Sequence, residues 1–285
     1  MSQVMKHLII NTQLITETLP ISSSSHVWLV SFLANTWVIQ TSNFSNIMEG
    51  FISLPTLVVI GIFFAKPIWT LLHRFWKITR SWFAAPHSTS WLLIMCRIAL
   101  YALAADICTF IVMLILKPLN GNFLIHAKNS SGYMALGLTI TGLALASTSL
   151  WPNKNYQPLS LAKSIILGII QAFAVFPGIS RMGTTLVVMH FLKIHPRRAF
   201  QFSFIIYTAI ALGQALKAFL SMEIDFVQFS TILTPQTMGL ALLSCIISYF
   251  GLWLTSYLYR RQALWWFGAY LTIPVGIIIR YQLIR

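Results

Sequence analysis

Residues 160–192 read SLAKSIILGIIQAFAVFPGISRMGTTLVVMHFL, two short apolar runs broken at Pro177-Gly178 and by the polar run Ser180 to Thr185. At 1.5 Å per helical residue, neither run reaches across a hydrocarbon core of about 30 Å. The pair therefore predicts a re-entrant helical hairpin, whose irregular tip survives at membrane depth only where protein or a wet cavity satisfies its backbone. Residues 6–35 repeat the pattern, broken at Pro20 and at Ser22 to His26. Around the hairpins, six stretches are long enough to cross: 46–65, 91–116, 132–150, 199–221, 236–257 and 263–281. The expected fold is an all-α polytopic membrane protein, with six transmembrane helices and two re-entrant hairpins in a single domain, 1–285.

Composition supports that class. The chain is 57% hydrophobic and only 8% charged, with mean hydropathy +0.77, whereas soluble domains carry about 25% charged residues. Too little polar sequence is left to coat a soluble core. The formal charge is +14, from 19 Lys and Arg against five acids. The basic residues gather at the ends of apolar spans, where anionic headgroups explain them, and no nucleic-acid motif is present. Cys96, Cys108 and Cys245 lie in apolar segments without ligand spacing and read as small buried hydrophobes. The N-terminal apolar run is broken by Glu17 and Pro20, with no small-residue cleavage site after it, which argues against a removable signal peptide.

Topology follows from charge. The side holding 66–90, 151–163, 193–198 and 258–262 receives 11 of the 19 basic residues, among them Lys66, Arg74, Arg197, Arg198, Arg260 and Arg261. The other side receives five: Lys6, Lys117, Lys128, Arg280 and Arg285. The first side is therefore read as cytoplasmic, with both termini outside. Each hairpin is followed by three spans, so the second unit (155–285) is inverted relative to the first (1–150). Inverted repeats with broken helices bind substrate near the midplane, where two tips would form one site.

Glu17, Glu49 and Asp106 are the acids placed in membrane segments. Each costs about 3 kcal/mol there and needs a partner or a role. Gln13 and Glu17 share a helix face. Their oxygens suit a hard cation such as Mg²⁺ or Ca²⁺, or else form a structural pair at the break. Ser22, Ser23, Ser24 and Ser25 beside His26 offer an N-cap, a phosphate cradle, or a nucleophile with its base. At the second tip, Gly178 and Gly183 allow close backbone approach, and Ser180, Thr184 and Thr185 add hydroxyls at a helix start that favours an anion. Arg181 brings a planar fork suited to phosphate oxygens, or to a buried acid. Glu49 reads as a third site acid or a helix-start residue. Asp106 and Arg97 read as pairing with neighbouring helices. His190 and His195 are placed at an interface, and Trp265, Trp266 and Tyr270 read as belt aromatics. Together these groups point to a phosphoester site.

At both tips the sequence resembles the bacterial undecaprenyl-diphosphate phosphatase family, also called the bacitracin-resistance protein family. Gln13-Leu-Ile-Thr-Glu17 looks like its (E/Q)xxxE motif, followed by Leu19-Pro20-Ile21-Ser22-Ser23 and His26. Pro177-Gly178-Ile179-Ser180-Arg181, with Gly183 and Thr185, is similar to its PGxSRSGxT. Departures are Met182 in place of a serine, Ser24-Ser25 in place of Thr-Gly, the segment Gly50 to Pro55, and Gln201 where the family often has an acid.

The resemblance implies a metal-dependent enzyme of the bacterial cytoplasmic membrane. It would remove one phosphate from undecaprenyl diphosphate through a site opening outward, recycling the carrier lipid for cell-wall synthesis. By position, Gln13 and Glu17 would serve the metal or an acid–base role. His26 would act with Ser23, and Arg181 with Ser180 would clamp the diphosphate. Ser22, Ser24, Gly183, Thr184 and Thr185 complete the expected phosphate cradle. A phosphoserine intermediate and direct attack by water both remain open, as does homodimer formation. The alternative is a flippase of the lipid-linked phosphate, which needs the same cradle but no general base.

Overall fold

The computed structural model describes residues 3–33, 55–66, 69–70, 73, 89–152, 155–221 and 235–284. Its helices are α1 (Gln3–Glu17), α2 (Ser23–Leu33), α3 (Thr89–Asn129), α4 (Ser131–Ser147), α5 (Leu161–Ala172), α6 (Arg181–Phe191), α7 (Pro196–Ser221), α8 (Pro235–Arg260) and α9 (Trp265–Ile284). Residues 55–63 are also helical. Among the described residues, extended pairing is limited to an isolated bridge between Gln157 and Ile194. The expected all-helical class is what the chain adopts.

Both segments read as broken helices are broken. α1 ends where Pro20 approaches, and its last turn is closed by Leu19 N donating to Thr16 O at 3.2 Å and Thr18 Oγ1 donating to Ile15 O at 2.9 Å. Ser22 then turns the chain with φ of 66°, a left-handed conformation that costs a non-glycine residue about 1–2 kcal/mol. α5 tightens into a 3₁₀ turn at Phe173–Val175 and stops before Pro177, which has no N–H to continue it. Gly178 reverses the chain at φ of 90°. Ser180 caps α6, its Oγ accepting from Gly183 N at 3.1 Å. The longest of these half-helices, α1, has 15 residues, about 23 Å, short of a full crossing.

The other helices fall on the expected spans, with shifted ends. α3 runs through Pro118 to Asn129, well beyond the apolar stretch 91–116, because a helix need not end where hydrophobicity does. α4 stops at Ser147, and Thr148 Oγ1 turns back onto Leu145 O at 2.7 Å. Of the expected span 46–65, residues 46–54 lie outside the described part. Among the described residues, two stretches are long and apolar enough to cross a membrane: Leu93–Leu116, with mean hydropathy 2.4 and 17% buried, and Leu242–Arg260, with 1.4 and 33%. The first turns Leu100, Leu103, Phe110 and Leu114 outward. Water does not suit so continuous an apolar face, and lipid does.

Packing follows a few seams. α4 lies along α9, α3 along α5, and α1 along both α2 and α8; α6 touches α4, α5 and α7, while α2 reaches α9. The buried core includes Leu138 and Leu145 of α4, Leu167 of α5, Leu186 and Met189 of α6, Leu252 of α8, and Leu271 of α9. The two hairpins are thus wedged among longer helices, which hold their tips.

Candidate active site

The second tip is clamped by α4. Thr141 Oγ1 donates to Gly178 O at 3.0 Å and accepts from Ser180 N at 3.1 Å, so one hydroxyl satisfies both sides of the turn. A Cβ on Gly178 would lie 2.5 Å from Met134 O, so side-chain-free backbone is required there as well as positive φ. The two tips touch each other: a Cβ on Gly183 would lie 3.1 Å from Pro20 O. Two polar turns more than 150 residues apart in sequence therefore form one locus.

Glu17 is half-buried at the end of α1. Its Oε1 accepts from Tyr207 Oη at 2.6 Å and its Oε2 from Thr56 Oγ1 at 2.9 Å. Charge-assisted bonds of this kind hold an ionised carboxylate in a fixed orientation. Tyr207 lies on α7, and Arg181 is the first residue of α6. Neither Tyr207 nor Thr56 carried a sequence signal beyond being a polar atom in an apolar segment.

His26 is buried, with both ring nitrogens engaged. Nδ1 lies 2.8 Å from Ser22 O and Nε2 3.1 Å from Tyr270 Oη. A carbonyl only accepts, so Nδ1 carries the proton, and in the neutral ring Nε2 accepts from the tyrosine hydroxyl. The rings also stack, 5.7 Å apart and 9° from parallel. Tyr270 is therefore more than the belt aromatic expected from its place near a span's start. The lone pair of His26 faces Tyr270, and no Ser23–His26 hydrogen bond is seen.

Of the remaining expected residues, the serines and threonines lie on the two tips. Ser22 is buried, with its Oγ 3.4 Å from both Ser24 Oγ and Ser25 Oγ. Ser23 opens α2 half-buried, and Ser24 is exposed. Ser180 is buried as the α6 cap, Thr184 N donates to Ser180 O at 2.8 Å, and Thr185 Oγ1 donates to Met182 O at 2.9 Å. Gln13 is half-buried one turn before Glu17. Glu49 lies outside the described residues. His190 Nε2 meets Trp151 O at 2.9 Å, a structural contact at the far end of α6.

Among the described residues no group of three or more His, Cys, Asp or Glu is placed to hold a metal. Glu17 and Gln13, one turn before it on α1, are the pair that would offer a carboxylate and an amide to Mg²⁺, which keeps waters and takes substrate phosphates rather than a full protein cage. An open cavity of about 530 Å³, lined by Tyr156, His195, Arg197 and Arg198 among others, lies at the end of α5 away from its tip. It has none of the tip groups.

Residues 11–278 match the family described as bacitracin resistance protein BacA. The chain is 31% identical over 278 residues to an undecaprenyl-diphosphatase of Acaryochloris marina, covering 93% of this chain and 92% of that one. It is 28% identical over 244 residues to undecaprenyl-diphosphatase 2 of Halalkalibacterium halodurans, covering 84% and 80%. It is 27% identical over 278 residues to an undecaprenyl-diphosphatase of Corynebacterium glutamicum, covering 93% and 85%. With the family match running through both hairpins and nearly every helix between them, the chain belongs to the bacitracin resistance protein BacA family.

Proposed function

We propose that this protein hydrolyses undecaprenyl diphosphate to undecaprenyl phosphate and inorganic phosphate. The observation that carries the reading is the meeting of the two tips, at Pro20 and Gly183, in a chain whose relatives bear that activity in their names.

The substrate's isoprenoid lies along apolar helix faces while its diphosphate enters between the tips. Arg181, at the α6 N-terminus beside Ser180, Gly183, Thr184 and Thr185, gathers the phosphate oxygens and offsets the charge that grows on the transferred group. His26 Nε2 takes the proton of the attacking hydroxyl, from Ser23 or from water, once the Tyr270 hydroxyl has moved off it. Attack breaks the terminal P–O–P bond and leaves the monophosphate on the lipid. If Ser23 attacks, water then hydrolyses the phosphoserine. Gln13 and Glu17 are the residues that would hold a divalent cation, Mg²⁺ or Ca²⁺, which would neutralise diphosphate charge when bound. Tyr207 and Thr56 hold Glu17 in place for that role.

The same reading places the chain in the bacterial inner membrane with six spans, both termini outside and the site opening outward. It also divides the chain into inverted repeats, 1–150 and 155–285. Two features support the inversion. Exchanging α1 with α5, α2 with α6, α3 with α8 and α4 with α9 maps the α3–α5 seam onto α8–α1, and α4–α6 onto α9–α2. Thr109 of α3 donates to Gly168 O of α5 at 2.9 Å, and Ser248 of α8 donates to Leu14 O of α1 at 2.8 Å. That register carries Gln171 onto Glu17.

Phosphate release from undecaprenyl diphosphate by the purified protein in detergent tests the proposal. Release that needs Mg²⁺ or Ca²⁺ and disappears in Arg181→Ala is expected. A folded wild type that releases none, with or without cation, would overturn it. Phosphate trapped on Ser23 would identify the nucleophile, and full activity in Ser23→Ala would assign attack to water.

A further inference from the structure

The chain has no acid between Asp106 and Glu223, yet that interval carries Lys163, Lys193, Arg197 and Arg198. The two arginines line the open cavity away from the tips, together with Tyr156, Gln157, His195 and Gln201. The mechanism above gives none of them a part. The cavity is built at the foot of the second hairpin, from its two ends. Gln157, shortly before α5, donates its N–H at 2.8 Å to the carbonyl of Lys193, just after α6, and pairs with Ile194. Lys163 Nζ braces the same wall, donating to Gln157 Oε1 at 3.0 Å and to Pro158 O at 3.1 Å. His195 Nδ1 accepts from Arg197 N at 3.3 Å, so in the neutral ring the proton sits on Nε2, which is a donor. Arg197 and Arg198 are exposed. Of the acids in the described residues, Glu17 is bonded to Tyr207 and Thr56 at the first tip. Asp106 follows Ala105, which packs on Gly168, two turns along α5 from its start. On the proposed topology Glu223 and Asp225 follow the span 199–221 and lie on the opposite side of the membrane. The counter-charge of the arginines therefore comes from outside the chain.

We propose that this cavity is a phosphate-binding site that seats the headgroup of an anionic phospholipid from the surrounding bilayer. Two neighbouring guanidinium forks and an imidazole N–H suit phosphate oxygens, which a planar fork binds in pairs. The surface beside the cations favours a headgroup over free phosphate. Leu161 opens α5, Phe191 closes α6, and Trp151 meets Phe191 ring to ring at 6.1 Å; all three are exposed and apolar. A lipid satisfies both surfaces at once, with its phosphate in the cavity and its acyl chains along the hairpin. Basic pockets on the cytoplasmic side of membrane proteins take acidic headgroups in this way. The bound headgroup ties together the two ends of the hairpin whose tip carries Arg181. Seating a lipid there requires no hydrolysis, so the site stands apart from the phosphatase reading.

The test follows thermal unfolding of the purified full chain in detergent as phosphatidylglycerol, phosphatidylcholine or inorganic phosphate is added. Phosphatidylglycerol is expected to raise the midpoint. Phosphatidylcholine, whose headgroup has no net charge, and inorganic phosphate at the same concentration are expected to raise it far less. Arg197→Gln combined with Arg198→Gln is expected to raise the half-saturating phosphatidylglycerol concentration at least about tenfold. Arg260→Gln combined with Arg261→Gln removes the same charge from the same side, and is expected to shift that concentration by no more than about twofold. Gln201→Glu puts a carboxylate among the cations while keeping both arginines, and is expected to weaken binding as well. Arg181→Ala, at the tip, is expected to leave phosphatidylglycerol binding unchanged. No protection by phosphatidylglycerol, equal losses from the two arginine pairs, or no loss in Gln201→Glu would overturn the site. Protection that vanishes in Arg181→Ala would place the lipid at the tips and overturn it too, and equal protection by inorganic phosphate would overturn the lipid as occupant.

Discussion

At the scale of single residues, the site depends on polar side chains that tertiary structure supplies to the motifs. Glu17 was legible because a carboxylate in an apolar segment has to be explained. Tyr207 was not, because a tyrosine in such a helix reads equally well as a belt aromatic. Thr56 was not, because a threonine hydroxyl on a membrane helix commonly satisfies itself on its own backbone. Thr208 does so, donating to Phe204 O at 2.7 Å. Its neighbour Tyr207 instead reaches Glu17 at 2.6 Å. Removing that donor in Tyr207→Phe deprives a charged acceptor of a bond worth about 1.5–3 kcal/mol. We expect phosphate release to fall roughly 10- to 100-fold, with the thermal midpoint little changed. His26→Ala removes the base and should cost roughly 10²-fold or more in kcat. Tyr270→Phe, which removes only the group resting on Nε2, should cost far less than His26→Ala. Equal losses in the two variants would show that the tyrosine does more than occupy the lone pair.

At the scale of elements, the hairpins were the most readable part of the chain. Pro20 and Pro177 end half-helices too short to cross, and a polar tip at that depth leaves few other arrangements. Helix ends were less readable: α3 continues past Lys117-Pro118, where the apolar pattern gives no reason to continue. The clamp on the second tip was invisible, since nothing in the sequence ties Thr141 to residues nearly forty positions later. Thr141→Val breaks both of its bonds, to Gly178 O and from Ser180 N. A loss of about 1–3 kcal/mol of stability is expected in thermal unfolding, along with reduced turnover as Ser180 and Arg181 shift. Gly178→Ala is expected to be worse, because the new Cβ meets the α4 backbone at positive φ. Loss of folded protein in detergent would report it.

At the scale of the whole molecule, hydropathy and charge bias specify the class, while the meeting of the tips is a product of packing. The two broken apolar pairs, 6–35 and 160–192, suggested a repeat, but the register between helices depends on contacts such as Thr109 to Gly168 and Ser248 to Leu14. Topology is testable with single cysteines in a background lacking the three native ones. Ser130→Cys should react with an impermeant thiol reagent from outside intact cells, and Gln262→Cys only after the membrane is opened. The reverse pattern would invert the orientation.

The central claim is that two distant hairpins make one catalytic site. Its most direct test is a double-mutant cycle on kcat/KM for phosphate release, pairing Glu17→Gln with Arg181→Ala. Groups that act as a unit are non-additive, so the double variant is expected to be no slower than the slower single variant. Losses that multiply across the two hairpins would mean that Glu17 and Arg181 act independently, and would contradict a single shared site.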